Sequence, residues 1–424
     1  MIKLLGAKLN IYIKNISWLI VEKLLIMVSG LVISMMVARY LGPEELGKIT
    51  FSIVLTNIPI IICQWGSNQI IYNVSARNPR KAVCIINATE NGRIALYISI
   101  WLVITAYLLV KESEIYTAVL MSLVVLFHLF IGLDIYQYYY NATLTSKVNA
   151  KSSMIASLAS MAFRGAAIGL KAETIAFIFP FLVNNVIIYF LRKKELISIG
   201  FLGKKYREYF FIRGFPHMLV SLISFFSIKA SALILAIYTS YADFAQYSIA
   251  FTLAYAWVFL PQSVGTSLLA KPLKQKGHEQ NKGFSFVNLS IICISMPALI
   301  VFYVFPSLIV NVTFGPSYNM AHEILFPLAL SAMISILNWV NNRIIASYKN
   351  GGRFLVKKTI ISFLISIPLS YFLVYKYGLL GAAWSIVIME AVSFSFLNYF
   401  FKRGEILYIH INIPSSISYI RSVK

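Results

Sequence analysis

Glu22 and Lys23 stand side by side in LIVEKLLIMVSG, residues 19–30, a run otherwise apolar enough for a helix in lipid. Each charge at a bilayer centre costs at least roughly 2.5–3.5 kcal/mol, so such groups face a bundle interior or a water-filled cavity. On a helix turning about 100° per residue, the two charges share an arc of about 140° with Asn15, Ser29, Gly30 and Ser34. Serines and glycines on such an arc also serve close helix packing, but a lysine is poor glue. A cation held in a wet cavity points to an anion that passes through it. At about 4 Å and an effective dielectric of 20, a lysine and a phosphate charge attract by about 4 kcal/mol before desolvation. Arg164 makes a second such stripe with Ser153, Ser157 and Ser160. Lys229 is a third buried base, although Ser221, Ser224, Ser227 and Ser231 gather on the opposite side of its helix. Arg93 and Arg343 lie near helix ends, where long basic side chains snorkel. Asp134 with Tyr138 and Asn141, and Asn338 and Asn342 with Ser331 and Ser335, form polar faces expected to line a cavity. Glu390, in mid-helix, is either a proton site or the partner of a buried cation, and both remain open.

Other chemistries lack their residues. LGAKLN and GFLGKK are not Walker sequences, and no GxSxG, HExxH, CxxC or paired-carboxylate constellation occurs. No enzyme, cofactor or metal is therefore expected, and energy must come from a gradient or from mass action. Cys63, Cys84 and Cys293 are odd in number and widely spaced, so reduced packing residues are expected. His128 and His217 are isolated and are expected to pack.

The elements that position these groups are membrane helices. The 424 residues are 59% apolar and 12% charged, with mean hydropathy +0.77, against about 25% charged in soluble domains. A crossing takes roughly 20 apolar residues. About twelve such segments fit, and nothing between them is long enough for a soluble domain. The basic start, MIKLLGAKLNIYIKN, precedes an apolar run too long for a signal-peptide core, so the first helix is expected to stay. The net charge of +22 raises the question of a nucleic acid. Its distribution answers it. Loops on the side of the N-terminus carry Lys3, Lys8 and Lys14, then Arg192, Lys193, Lys194, Lys204 and Lys205, then Lys349, Arg353, Lys357 and Lys358. The other side carries only Arg39, Lys48, Lys111, Lys171 and Lys376. That asymmetry is the positive-inside rule, with both ends cytoplasmic. It leaves attraction to anionic lipid heads and needs no nucleic acid.

An internal repeat divides the chain. Thr50, Asn57, Gln64 and Asn68 make one stripe, and 198 residues further on Ser248, Tyr255, Gln262 and Thr266 repeat it. An offset of about 204 pairs Asp134, Gln137 and Tyr138 with Asn338, Asn341 and Asn342. The expected fold is an all-α integral membrane protein of about twelve transmembrane helices. It has two six-helix lobes, residues 1–205 and 206–424, related by a pseudo-two-fold axis along the membrane normal. Transporters of that plan hold substrate between the lobes and rock one against the other.

VARYLGPEELGKITFS at 37–52, YKYGLLGAAWS at 375–385, WGSNQ at 65–69 and the LPQ of 260–262 resemble the Wzx-type O-antigen flippases. These form part of the polysaccharide-transporter branch of the multidrug/oligosaccharidyl-lipid/polysaccharide exporter superfamily, and the resemblance covers nearly the whole chain. Its motifs are structural: Gly42 and Pro43 make a periplasmic turn, and Gly378 and Gly381 start the last helix. The resemblance implies a bacterial inner-membrane protein that flips an undecaprenyl-pyrophosphate-linked oligosaccharide from the cytoplasmic to the periplasmic leaflet. Lys23 and Arg164, with Lys229 as a third candidate and Glu22 beside them, would hold the pyrophosphate. Gln64, Asn68, Gln262, Asn338 and Asn342 would meet the sugars. Glu22, Asp134 and Glu390 are the candidates for proton or cation antiport, and the polymerase and chain-length machinery are implied partners.

Three rivals predict different residues. A multidrug exporter of the same superfamily expels organic cations and should line its cavity with acids and aromatics, whereas here buried bases outnumber buried acids. The lipid II flippase branch typically has fourteen helices. A membrane polymerase needs a large periplasmic loop with catalytic residues, and the longest such stretch, roughly 306–322, has no acid and no base.

Overall fold

The computed structural model describes the backbone of residues 2–196, 204–414 and 416, and the side chains of all of these except 2–29, 33 and 204. Every regular element among them is helical. The first helices are α1 (Ile2–Gln64), α2 (Ser67–Arg77), α3 (Pro79–Lys111), α4 (Ile115–Phe127), α5 (Leu129–Leu133), α6 (Tyr136–Ala142), α7 (Lys147–Gly169) and α8 (Phe179–Lys194). They are followed by α9 (Lys204–Tyr238), α10 (Tyr241–Tyr255), α11 (Phe259–Leu269), α12 (Gly277–Val304), α13 (Pro306–Thr313), α14 (Ala321–Ser347), α15 (Gly351–Val392) and α16 (Glu405–Ile411).

Among the described residues nine helical stretches are long and apolar enough to cross a membrane, which makes this a multi-pass membrane protein. Nine is fewer than the expected twelve. Two of the stretches run through a glycine break: at 1.5 Å per residue the 63 residues of α1 span about 95 Å, three times a hydrocarbon core of about 30 Å. The breaks fall at Gly42 (φ 75°, ψ 174°) and Gly378 (φ 53°, ψ −125°), the glycines that the sequence motifs assign to a turn and a helix start. The helix α7, with its serines and Arg164, is not among the nine.

Two expected spans are interrupted. The one placed at 115–140 breaks after Phe127 and again at Asp134–Ile135, and the one at 243–269 breaks between Tyr255 and Phe259. Helix starts follow local chemistry. Asn78 caps α3 by accepting from the Lys81 amide at 3.0 Å, with Pro79 at the first helical position. Ser240 and Asp243 form a reciprocal capping box at α10.

The chain divides into two compact units, Met1–Leu222 and Ile223–Lys424, so the division falls inside α9. In the first, Tyr97, Tyr136, Phe210 and Ile85 are fully buried together. In the second, Phe284, Val287, Ile291 and Ile344 form the equivalent core, and Ile406 and Ile409 dock α16 onto it. The docked helix carries His410, whose ring stacks on Phe394 at 4.4 Å. The ring is held by Asn341 Nδ2 at 3.0 Å and Tyr399 Oη at 3.1 Å. With the amide donating to Nε2, the imidazole is neutral and Nδ1 carries its proton toward Tyr399. Burial pushes this histidine down to about 4 from an ordinary 6.5. Between those values the undocked segment binds a proton that the docked one does not, so docking weakens as pH falls through that window. Protection of the amides of residues 405–411, taken relative to the intrinsic exchange rate at each pH, should therefore fall from pH 7 to pH 5 in the wild type and stay level in His410→Phe; an equal fall in both would show that His410 is not the cause.

Candidate functional site

Each unit holds an open, largely apolar cavity with a cluster of polar side chains in its wall. In the first unit a cavity of about 320 Å³ lies among α1, α7 and α8, with Ser153, Ser157, Ser160 and Arg164 on one wall. Spacing near the helical repeat puts these four on one face of α7. Arg164 is 7% exposed. Its Nη1 donates to Ser160 Oγ at 2.8 Å, and the guanidinium lies over the Phe181 ring at 4.9 Å. No carboxylate contacts it among the described residues, and it is the charged group of that lining. Gly30, Ser34 and Thr50 of α1 face the same space. The side chains of Glu22 and Lys23, on the same arc as Gly30 and Ser34, lie outside the described residues.

The second unit holds a cavity of about 560 Å³ between α9, α10, α11, α14 and α15, lined by Gln262, Asn338, Asn342 and Glu390 among others. These four expectations come together in one place. With them is Lys358, 5% exposed, which the sequence pattern assigns to a cytoplasmic loop. Its ammonium donates to Asn338 Oδ1 at 2.7 Å and Asn342 Oδ1 at 2.9 Å. Asn338 Nδ2 in turn donates to Glu390 Oε2 at 3.1 Å and to Ser393 Oγ at 2.8 Å. One amide thus bridges a buried cation and a half-buried carboxylate. The clue in the sequence is the spacing of four that joins Lys358 to Ser362, Ser366 and Ser370, all of which line this cavity. Lys229 is not in the lining: its ammonium sits over the Phe251 ring at 4.2 Å, and Ser224, Ser227 and Ser231, on the other face of α9, border the space instead.

The remaining expected residues lie outside these two linings. Gln64 donates to Ile131 O at 3.2 Å and accepts from Tyr138 Oη at 2.9 Å. The turn at Trp65–Gly66 then carries Asn68 onto α2, where it is exposed, so the Thr50-to-Asn68 stripe does not continue along one helix. Asp134 is paired with Arg192, again a residue expected in a basic loop and here 3% exposed. Arg192 also donates from Nε to Ser152 Oγ and from Nη2 to Ser153 Oγ, both at 3.0 Å. Arg93 does not snorkel: it is fully buried, and its Nη1 donates at 3.0 Å to Leu133 O, next to the break in the α4–α6 segment. A helix break in lipid leaves backbone carbonyls that need partners, and a buried arginine supplies one.

The fold is shared with solved transporters. It is similar to a lipid II flippase, MurJ, in an inward closed conformation, with TM-score 0.70 and 15% identity over 96% of this chain and 95% of that one. It is similar also to an inward-facing multidrug resistance MATE transporter of the MOP superfamily, with TM-score 0.68 and 13% identity over 95% of this chain and 99% of that one. The Vibrio cholerae MATE transporter VcmN in its bent form gives TM-score 0.57 and 16% identity over 97% and 98%. These structural neighbours are flippases and transporters, not enzymes, and at such identities they establish the fold. Among curated proteins none matches the chain in sequence. Residues 36–323, well over half of the sequence, match the polysaccharide biosynthesis proteins, and the chain belongs to that family.

Proposed function

We propose that the protein is a flippase for an undecaprenyl-pyrophosphate-linked oligosaccharide, an O-antigen or similar repeat unit. It moves that substrate from the cytoplasmic to the periplasmic leaflet of a bacterial inner membrane by alternating access. The observation that carries this reading is Arg164, a buried guanidinium with most of its donors free of partners among the described residues, in a cavity whose described lining has no acid. Planar guanidinium donors match phosphate oxygens in pairs, and a membrane protein of a polysaccharide biosynthesis family has a lipid-linked phosphate to move. Lys23, on the arc whose Gly30 and Ser34 border the same space, is the second base of the site. Glu390 and Glu22 remain the candidates for coupling to a proton or cation, whereas the ion pair with Arg192 gives Asp134 a structural role. The fold also serves multidrug export, but an organic cation would meet Arg164 with no acid among the described residues of the lining to offset it.

In cells, Arg164→Ala should leave insertion and abundance unchanged. Export should slow about ten-fold or more, the worth of a charge-assisted hydrogen bond or two, while lipid-linked oligosaccharide accumulates in the cytoplasmic leaflet. Arg164→Lys should restore part of the flux. Normal surface polysaccharide in Arg164→Ala would remove this assignment.

A further inference from the structure

The larger cavity, in the second unit, has a different electrostatic character from the one around Arg164. Its charged groups are Lys358 and Glu390, one of each sign, joined through Asn338. An ammonium has three donors, and Lys358 gives two of them to Asn338 and Asn342; Glu390 accepts on Oε2. Among the described residues one N–H and one carboxylate oxygen are left for the cavity. No direct ion pair uses them up.

A ligand that answers this pair must accept a hydrogen bond at one point and donate one nearby. A phosphate meets Lys358 only by bringing a second negative charge beside Glu390, and an organic cation has the converse difficulty at Lys358. A hydroxyl does both without disturbing the charge balance. The rest of the wall agrees: serines from α9, α14 and α15 offer further hydroxyl partners, and the rings of Trp339 and Tyr255 add aromatic lining. At about 560 Å³ the space is of the size that small ligands occupy. We infer that the cavity of the second unit is a binding site for an uncharged saccharide, with Lys358 donating to and Glu390 accepting from its hydroxyls. This deepens the flippase reading and rests on it: the sugar half of the substrate is recognised by a different cavity from the one that meets the phosphate.

The test uses the full chain in lipid nanodiscs, with two readouts. Saturation-transfer NMR follows galactose, N-acetylglucosamine, rhamnose and glucuronic acid; phosphorus-31 line broadening follows inorganic pyrophosphate. At least one of the neutral sugars should receive saturation from the wild type, more strongly than glucuronic acid. Lys358→Met and Glu390→Leu should each weaken that signal about five-fold, the worth of one hydrogen bond. Glu390→Gln, which keeps an acceptor and removes the negative charge, should retain the sugar signal and add a pyrophosphate response to that of the wild type. It also guards against loss of folding in the first two. Three results overturn the assignment: no neutral-sugar signal in the wild type, a signal indifferent to Lys358→Met and Glu390→Leu in folded protein, or pyrophosphate broadening that depends on Lys358 in the wild type. Arg164→Ala separates the two claims, because it should abolish the wild-type pyrophosphate response and spare the sugar signal. Failure of that arm alone counts against the flippase reading, and failure of the sugar arm alone counts against this one.

Discussion

Arg192→Met should destabilise the first unit by about 3–5 kcal/mol, the usual result of leaving one member of a buried ion pair without its partner. Its side chain and that of Asp134 are 4% and 6% exposed, so water cannot take over the abandoned charge. The loss is not confined to one contact. Arg192 also donates to Ser152 and Ser153 on α7, and so ties that helix, α8 and the break at Asp134 together. Asp134→Leu should cost a similar amount, since the guanidinium is then buried without its carboxylate. The double variant Arg192→Met/Asp134→Leu should be less damaged than either single one, because no unpaired charge remains. Thermal unfolding of the purified chain in detergent measures all three. Equal losses in the singles and the double would mean that the pair contributes packing and not charge compensation. Because Ser153 also borders the Arg164 cavity, transport should fall with stability in the single variants and recover in part in the double.

The helical membrane fold is legible in the sequence because hydropathy over some twenty residues is a local property, fixed by the lipid and not by distant contacts. The same holds for Arg164: its serines recur at helical spacing, so one wheel places all four on a cavity wall. Lys358 and Arg192 were not legible in that way. Each stands beside other bases, Lys357 in one case and Lys193–Lys194 in the other, and a run of positive charge next to an apolar segment has the form of a cytoplasmic loop. Only the spacing of four from Lys358 through Ser370, or of four and then three from Asn185 through Tyr189 to Arg192, sets them apart from their neighbours. The break at Asp134–Ile135 leaves little signal, for no proline or glycine occupies either position and Gly132 stands within the helix before it. It depends on Arg93 and Arg192, about forty and sixty residues away in the chain, taking up Leu133 O and the Asp134 carboxylate. A long-range partner of that kind also holds Gln64, whose side-chain carbonyl accepts from Tyr138.

Gly214→Ala should destabilise the first unit by about 3 kcal/mol or more, at the upper end for forcing an extra methyl into a packed interior. A Cβ at this position would lie 2.2 Å from Trp65 O and 2.6 Å from Trp65 Cδ1. The first of these is a backbone atom in a tight turn, with Trp65 at φ 45° and Gly66 at φ 72°, so it has little room to retreat. The turn is fixed from the other side as well. Trp65 Nε1 donates to Phe211 O at 2.8 Å, the indole packs edge-on against Phe211 at 5.4 Å, and a Cβ on Gly66 would stand 2.6 Å from His217 Cβ. Gly66 and Gly214 therefore let the end of α1 and the first part of α9 approach at backbone distance, and a methyl on either parts them. Gly165, on the exposed face of α7 with nothing within 4 Å of its would-be Cβ, is the control. There alanine should be neutral or stabilise by up to about 1 kcal/mol through helix propensity. Unfolding of Gly214→Ala, Gly66→Ala and Gly165→Ala side by side tests the contact. If Gly214→Ala unfolds together with Gly165→Ala, the WGSNQ turn does not hold α9 as the geometry requires. If only Gly66→Ala is damaged, the left-handed backbone of that residue is the constraint and not the closeness of the two helices.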